Sequence, residues 1–267
     1  MQRKPFSVKH MPGFVALALV CFFALYMPLA PLVIYSFNAG ENIALWEGFS
    51  LRWYVSAWEN DLVQGAAIRS LIVATCASFF STILATMAAL GTTRTQPYRG
   101  LIPIYAMINQ PLMVPEIVTA VALLIVFATV KAATDYHGFA YLILAHTAFC
   151  IPFAYLPIRA RLEGMDTTLE TAAADLYARP WKTFRRVTLP LLLPGILAGA
   201  MLSFVISLDD VVITEFVKSA GQDTLPTYML GQLRRNITPE INAISTVLLG
   251  ISVVLVTLIF FLSNKKG

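Results

Sequence analysis

The chain has 267 residues, 58% of them hydrophobic and only 13% charged, with a mean hydropathy of +0.71. A soluble domain carries about a quarter charged residues, so a soluble enzyme or binding module is excluded and a polytopic, all-α membrane protein is indicated. The net charge is +4, and its distribution along the chain says more than its size.

Residues 1–11 are polar and basic (Arg3, Lys4, Lys9). Residues 12–37 form a first apolar stretch, too long for the roughly 7–15-residue core of a signal peptide, and are expected to remain as a span. Residues 38–64 are more polar and carry Trp46, Trp53, Tyr54 and Trp58, an aromatic cluster typical of a membrane interface. A second span is expected over 66–90, followed by a short basic loop marked by Arg94 and Arg99. The third apolar stretch, 101–130, contains Asn109, Gln110, Pro111, Pro115 and Glu116. At about 1.5 Å per residue it overruns a hydrocarbon core of about 30 Å, which predicts a break near Pro111–Pro115. Further spans are expected over 141–156, 191–216 and 241–262, with Lys265 and Lys266 closing the chain. Thr238 suits an N-cap for the last of these, with Pro239 and Glu240 in its first turn. Cys21, Cys76 and Cys150 lie inside apolar runs and read as small hydrophobes rather than a disulfide framework.

Six spans put both termini on one side of the membrane. That side would hold 13 of the 19 Lys and Arg residues, and the other would hold 6. The positive-inside rule therefore assigns both termini, and the segment 160–190, to the cytoplasm. The whole chain, 1–267, reads as a single transmembrane domain.

Within that segment, Thr167 to Pro190 is organised as two short helices. Thr167 and Glu170 have the spacing of a capping box. Leu169, Ala172, Ala173 and Leu176 recur at i, i+3, i+4 and i+7 and share one face. Pro180 suits the first position of a second helix. Trp181, Phe184 and Val187 fall on one side of it, and Lys182, Arg185 and Arg186 fall mostly elsewhere. Leu189-Pro190 leads into the next apolar run. The expectation is a helix-turn-helix at the membrane surface with an apolar docking face; the alternative is an amphipathic loop helix lying on lipid.

The stretch resembles the Glu-Ala-Ala loop of ABC importer permeases. Ala172, Ala173, Val187, Leu189 and Pro190 stand on motif positions. Two positions depart from it: Thr171 replaces the motif Glu, with Glu170 beside it, and Tyr177 replaces the turn Gly. A positive φ at that turn costs a non-glycine residue about 1 kcal/mol. A narrower resemblance, to the spermidine/putrescine subfamily, is carried by VIYSFN, SLRWY, PLMVPEIVTAVALL, SLDDVVITEFV, TLPTYML and TPEINAISTVLL. The resemblance implies a type I ABC importer permease fold and a polyamine or another small cationic solute. It also implies three further components of the complex, four with this chain: a second homologous permease, a cytoplasmic ATPase dimer that holds ATP and Mg²⁺, and a periplasmic solute-binding protein. No cofactor is expected in this chain. Its surroundings are membrane lipid, in a bacterial inner membrane, and no nucleic-acid partner is expected. In the family reading, Leu169, Glu170, Thr171, Ala172, Ala173, Leu176, Tyr177, Leu189 and Pro190 form the ATPase-coupling loop. Related permeases carry opines or amino acids, so the solute stays open.

No GxxxxGK[ST], HExxH, CxxC or GxSxG occurs, and His10, His137 and His146 are scattered. His146, in an apolar run, reads as a helix-packing residue. The informative polar groups are acidic. Asp209 and Asp210 follow a long apolar run, and Glu116 lies beside Pro115. A carboxylate inside a span costs several kcal/mol unless it faces a partner or water, so these are candidates for a solute pathway. Glu215 is a weaker member of the set. The competing reading places Asp209 and Asp210 at a helix end, or pairs them with Arg234 or Arg235; Glu240 reads as helix initiation. An ion-coupled carrier or a channel would also explain the acids, but leaves the loop without a purpose. A membrane enzyme lacks catalytic residues.

Overall fold

The computed structural model describes residues 13–42, 45–95, 98–136, 138–235 and 238–264, with side chains to 257. Arg3, Lys4, Lys9, His10, His137, Lys265 and Lys266 lie outside the described residues. Helix dominates throughout, because a backbone in lipid must satisfy its hydrogen bonds within the segment. The only pairing of extended backbone among the described residues is an isolated bridge between Asn38 and Phe49. Among the described residues, five helices are long and apolar enough to cross a membrane, and six if one bent pair is taken as a single span.

The chain divides into two compact units, residues 1–60 with 232–250, and residues 61–231 with 251–267. In the first unit, α1 (Phe14–Tyr26) and α2 (Leu29–Tyr35) form the bent pair, at 45°. The bend falls at Pro28, which has no N–H to continue the ladder. The following loop is built on Asn38, which is fully buried. Its amide donates to the carbonyls of Asn42 and Leu45 and its carbonyl accepts from the Glu47 N–H. The amphipathic helix α3 (Arg52–Glu59) carries Trp53, Tyr54 and Trp58 of the expected aromatic cluster, with Trp46 in the loop before it, and Tyr54 Oη lies 2.7 Å from Ser36 Oγ.

The second unit is built on α4 (Asp61–Thr93), α7 (Ala140–Glu163) and α10 (Leu189–Asp209), with α5 (Leu101–Met113) and α6 (Glu116–Thr134) between the first two in sequence. Without a hydrophobic drive between helices in lipid, association depends on close approach of small residues. On α10, Gly195, Gly199, Ser203 and Ser207 recur every fourth residue and all are buried. A Cβ on Gly199 would fall 2.7 Å from the Ala154 carbonyl oxygen, and one on Gly195 2.7 Å from Arg161 Cβ. The backbones of α7 and α10 therefore touch. Ser78 Oγ donates to the Ala200 carbonyl at 2.6 Å and ties α4 to the same rod.

The break expected near Pro111–Pro115 is present, and one expected span is corrected. The stretch 101–130 is two helices: Val114 and Pro115 are extended, and α6 alone, 19 residues, is long enough to cross. Pro111 is accommodated inside α5, so the break falls at Pro115, whose ring disfavours helix for Val114 before it. The stretch 191–216 is also broken. Helix α10 stops at Asp209, Asp210 is extended (ψ 133°), and a separate short helix α11 (Val212–Val217) follows. The last two helices are α12 (Leu225–Arg235) and α13 (Pro239–Asn264).

Candidate functional site

Two regions of the second unit gather the residues singled out above, one at each end of α10. At the N-terminal end lies the loop. Its first helix, α8 (Thr168–Asp175), starts after Thr167, but no side-chain capping bond forms there. The expected capping box is replaced: the Asp166 carboxylate accepts the Thr168 N–H at 2.9 Å. That backbone bond, with the Thr168 hydroxyl, holds the Asp166 carboxyl below its ordinary range. Glu170 is thus free to point inward. Its Oε1 accepts from Thr188 Oγ1 at 2.8 Å, and its Oε2 lies 3.3 Å from Arg94 Nε. Glu170 links the loop to the end of α4 and to the foot of α10, whereas the neighbouring Thr171, on the motif position, only bonds back to the Thr167 carbonyl.

Tyr177 adopts the left-handed conformation (φ 56°), with its side chain 96% exposed. The turn therefore keeps the geometry that a glycine would take. The second helix, α9 (Pro180–Thr183), begins at Pro180 as expected and runs through a π-turn, Phe184–Thr188, directly into α10. Pro180 to Asp209 is one continuous helical run of 30 residues. Leu189 and Pro190 lie inside it rather than in a linker. Leu169, Leu176, Tyr177 and Trp181 are exposed, and Ala173, Leu176, Tyr177, Arg179, Lys182, Arg186 and Val187 line an open groove of about 450 Å³. Ala172 is exposed and Ala173 half-buried on the same helix.

At the C-terminal end of α10 the adjacent acids part company. Asp209, the last helical residue, is exposed, and no hydrogen bond or ion pair of its carboxylate occurs among the described residues. Asp210 turns inward and is buried. Its carboxylate accepts the N–H groups of Ile213 (3.2 Å) and Thr214 (2.9 Å) and the Thr214 hydroxyl (2.9 Å), so it caps α11. His146, fully buried on α7, lies 3.4 Å from Asp210 Oδ2. The Glu116 carboxyl, at the start of α6, reaches Asp210 as well. Glu215 stands apart from the cluster: it pairs with Lys218 at 2.5 Å, and Lys218 also holds Asp223 at 2.7 Å. Partial burial alone would lower the Lys218 ammonium, but the Asp223 and Glu215 carboxylates outweigh it and hold it above its ordinary value.

Sequence reasoning missed two residues. Arg94 marked only a basic loop, and His146 only a packing position. For His146 a signal existed, since Ser207, Asp210 and Thr214 recur at i, i+3 and i+7 downstream. For Arg94 there was none.

Apolar helices of spanning length, packed on small residues, with an exposed helix-turn-helix leading into α10, define a multi-pass membrane protein. The family model of the binding-protein-dependent transport system inner membrane component matches residues 82–265, and the chain belongs to that family. It is 38% identical over 246 residues to the putrescine transport system permease protein PotI of Escherichia coli, covering 91% of this chain and 88% of that one. To the spermidine/putrescine permease PotC of Haemophilus influenzae it is 37% identical, covering 94% and 96%. Among solved structures, a bacterial ABC transporter for the acidic polysaccharide alginate shares the fold, with a TM-score of 0.67 at 14% identity over 99% of both chains. The MetNI methionine ABC transporter does so with a TM-score of 0.62 at 19% identity, over 76% of this chain and 94% of that one. The protein is an inner-membrane permease subunit of an ABC importer.

Proposed function

We propose that this permease moves a linear polyamine, putrescine or spermidine, into the cytoplasm. The observation that carries the reading is the identity of 34–38% to permeases named for those solutes, along most of the chain. The complex contains a second homologous permease, a cytoplasmic ATPase dimer that binds ATP and Mg²⁺, and a periplasmic binding protein. Both termini and the loop face the cytoplasm. Leu169, Ala173, Leu176 and Tyr177, together with the groove beside them, receive the ATPase. Closure of the ATPases pushes the Thr167–Val187 helices, and the continuous run from Pro180 carries that motion into the span. Asp209, the exposed acid at the far end of the same helix, attracts the cationic solute, and Glu116 contributes beside the break. Asp210 and Glu215 serve structure rather than the pathway.

The test is uptake of labelled putrescine and spermidine by proteoliposomes containing the four components and ATP. Asp209→Asn should cut uptake at least about tenfold while the complex still assembles. ATP-independent movement of solute by this chain alone, or no uptake of either amine by the full complex, refutes the reading.

A further inference from the structure

The buried cluster at the end of α10 holds a histidine that the transport reading leaves unused. His146 makes two contacts through its ring: Nδ1 lies 2.8 Å from Ser207 Oγ, and Nε2 lies 2.9 Å from Thr214 Oγ1. Donor counting fixes the direction of these bonds. The Thr214 hydroxyl has one proton and gives it to Asp210 Oδ2. It can therefore only accept from His146, which places a hydrogen on Nε2. A neutral ring then accepts at Nδ1, and Ser207 donates. The result is a directed chain from Ser207 through His146 and Thr214 to Asp210, with the Asp210 carboxylate also capping two backbone N–H groups of α11.

The position of this chain gives it a purpose. Ser207 belongs to α10, Asp210 to the break, Thr214 to α11 and His146 to the unbroken helix α7. The imidazole thus spans the interruption from outside, fastening both sides of it to a continuous rod. Glu116 brings the start of α6, just after the other break, against the same carboxylate. Polar groups in a buried site are held in one arrangement only when each has its partner. An apolar residue at 146 would leave Ser207 Oγ and Thr214 Oγ1 each short of one bond.

We infer that His146 is a positioning residue for transport: it sets the angle of the α10 break and thereby the direction in which Asp209 is presented. It touches no solute. The inference rests on the proposed role of Asp209, and two separate readouts keep the two apart.

The first readout needs no solute. In a background with Cys21, Cys76 and Cys150 replaced by alanine, Asp209→Cys is labelled with a membrane-impermeant thiol reagent in the assembled complex. Adding His146→Leu should change the labelling rate at least about fivefold, and His146→Asn, which can still bond to Ser207, should change it less. The second readout is labelled-putrescine uptake. His146→Leu should raise the KM about tenfold or more relative to its effect on the maximal rate, with His146→Asn intermediate. If His146→Leu fails to assemble, Ser207→Ala, which removes only the first link, replaces it in both assays, with a smaller shift in the same direction. Labelling and KM both unchanged in an assembled His146→Leu or Ser207→Ala complex overturn the inference. A changed labelling rate in a complex that takes up no polyamine upholds His146 and refutes the substrate instead.

Discussion

Removing the Glu170 side chain should release the loop from the body of the permease. Two interactions are lost in Glu170→Ala. The Thr188 hydroxyl bond to the carboxylate, at 2.8 Å, is charge-assisted and contributes about 1.5–3 kcal/mol. The Arg94 pair, at 3.3 Å, has a Coulomb energy of about 5 kcal/mol at an effective dielectric constant of about 20, before desolvation is charged against it. Both partners are about a fifth exposed, so its net worth falls to about 1 kcal/mol. The truncation also strands Arg94, whose Nε and Nη2 are buried without other hydrogen bonds. A loss of about 2.5–4 kcal/mol raises the open population of the loop by a factor of about 70–900. Amide exchange across 168–175 in the detergent-solubilised complex should quicken by that factor, while the amides of α7 should not change. Arg94→Met alone should give about 1 kcal/mol, and the double variant should cost less than the sum. Unchanged exchange in Glu170→Ala, or strict additivity with Arg94→Met, would show that this ion pair does not hold the loop.

Three further outcomes follow from local geometry. Tyr177→Gly relieves a left-handed tyrosine that packs on nothing, and should stabilise the turn by up to about 1 kcal/mol, read as slower exchange at residues 176–178. Gly199→Leu drives a side chain into the Ala154 carbonyl and should destabilise the α7–α10 contact by about 1–3 kcal/mol, lowering the thermal midpoint; Gly91→Ala, where nothing lies within 4 Å, should be neutral or better. Lys218 has its pKa raised in the folded state, so its contribution is full below the ordinary lysine value of 10.5 and is lost as pH climbs through the higher folded value. Wild type should therefore lose thermal stability more steeply than Lys218→Met between about pH 10 and 12, and parallel curves would count against the cluster.

The sequence was most legible where one chain segment determines its own structure. Hydropathy located the apolar stretches, because a continuous apolar run of spanning length in lipid satisfies its own backbone bonds as a helix. Pro115 announced a break, and Pro180 announced a helix start, since a missing N–H acts locally. The break at Asp210 escaped notice because no proline or glycine marks it. An aspartate caps the next helix from inside an apolar run, and the run alone looks continuous. Composition could not separate Asp209 from Asp210 either. Adjacent residues on a helix differ by about 100° in direction, and a change of backbone at the second turns one outward and the other inward. Pairings across the fold were the least visible. Glu170 meets Thr188 across 18 residues, and His146 meets Ser207 and Thr214 across 61 and 68. Periodicity says which face a residue occupies, but it does not say what faces it.

These two kinds of contact meet on one helix. Helix α10 is anchored at its foot through Thr188 to Glu170, along its length by glycines pressed on α7, and at its head through Ser207 to His146. A rod of 21 residues spans about 31 Å, enough to cross the hydrocarbon core. Close packing resists bending along that length, so displacement at the foot must emerge at the head, where the break lets the chain turn. In the proposed cycle the loop need only be held firmly to this rod. Glu170 supplies that hold from one position before the motif glutamate, and Tyr177 supplies the turn without the motif glycine. The left-handed turn is kept although a tyrosine stands in it.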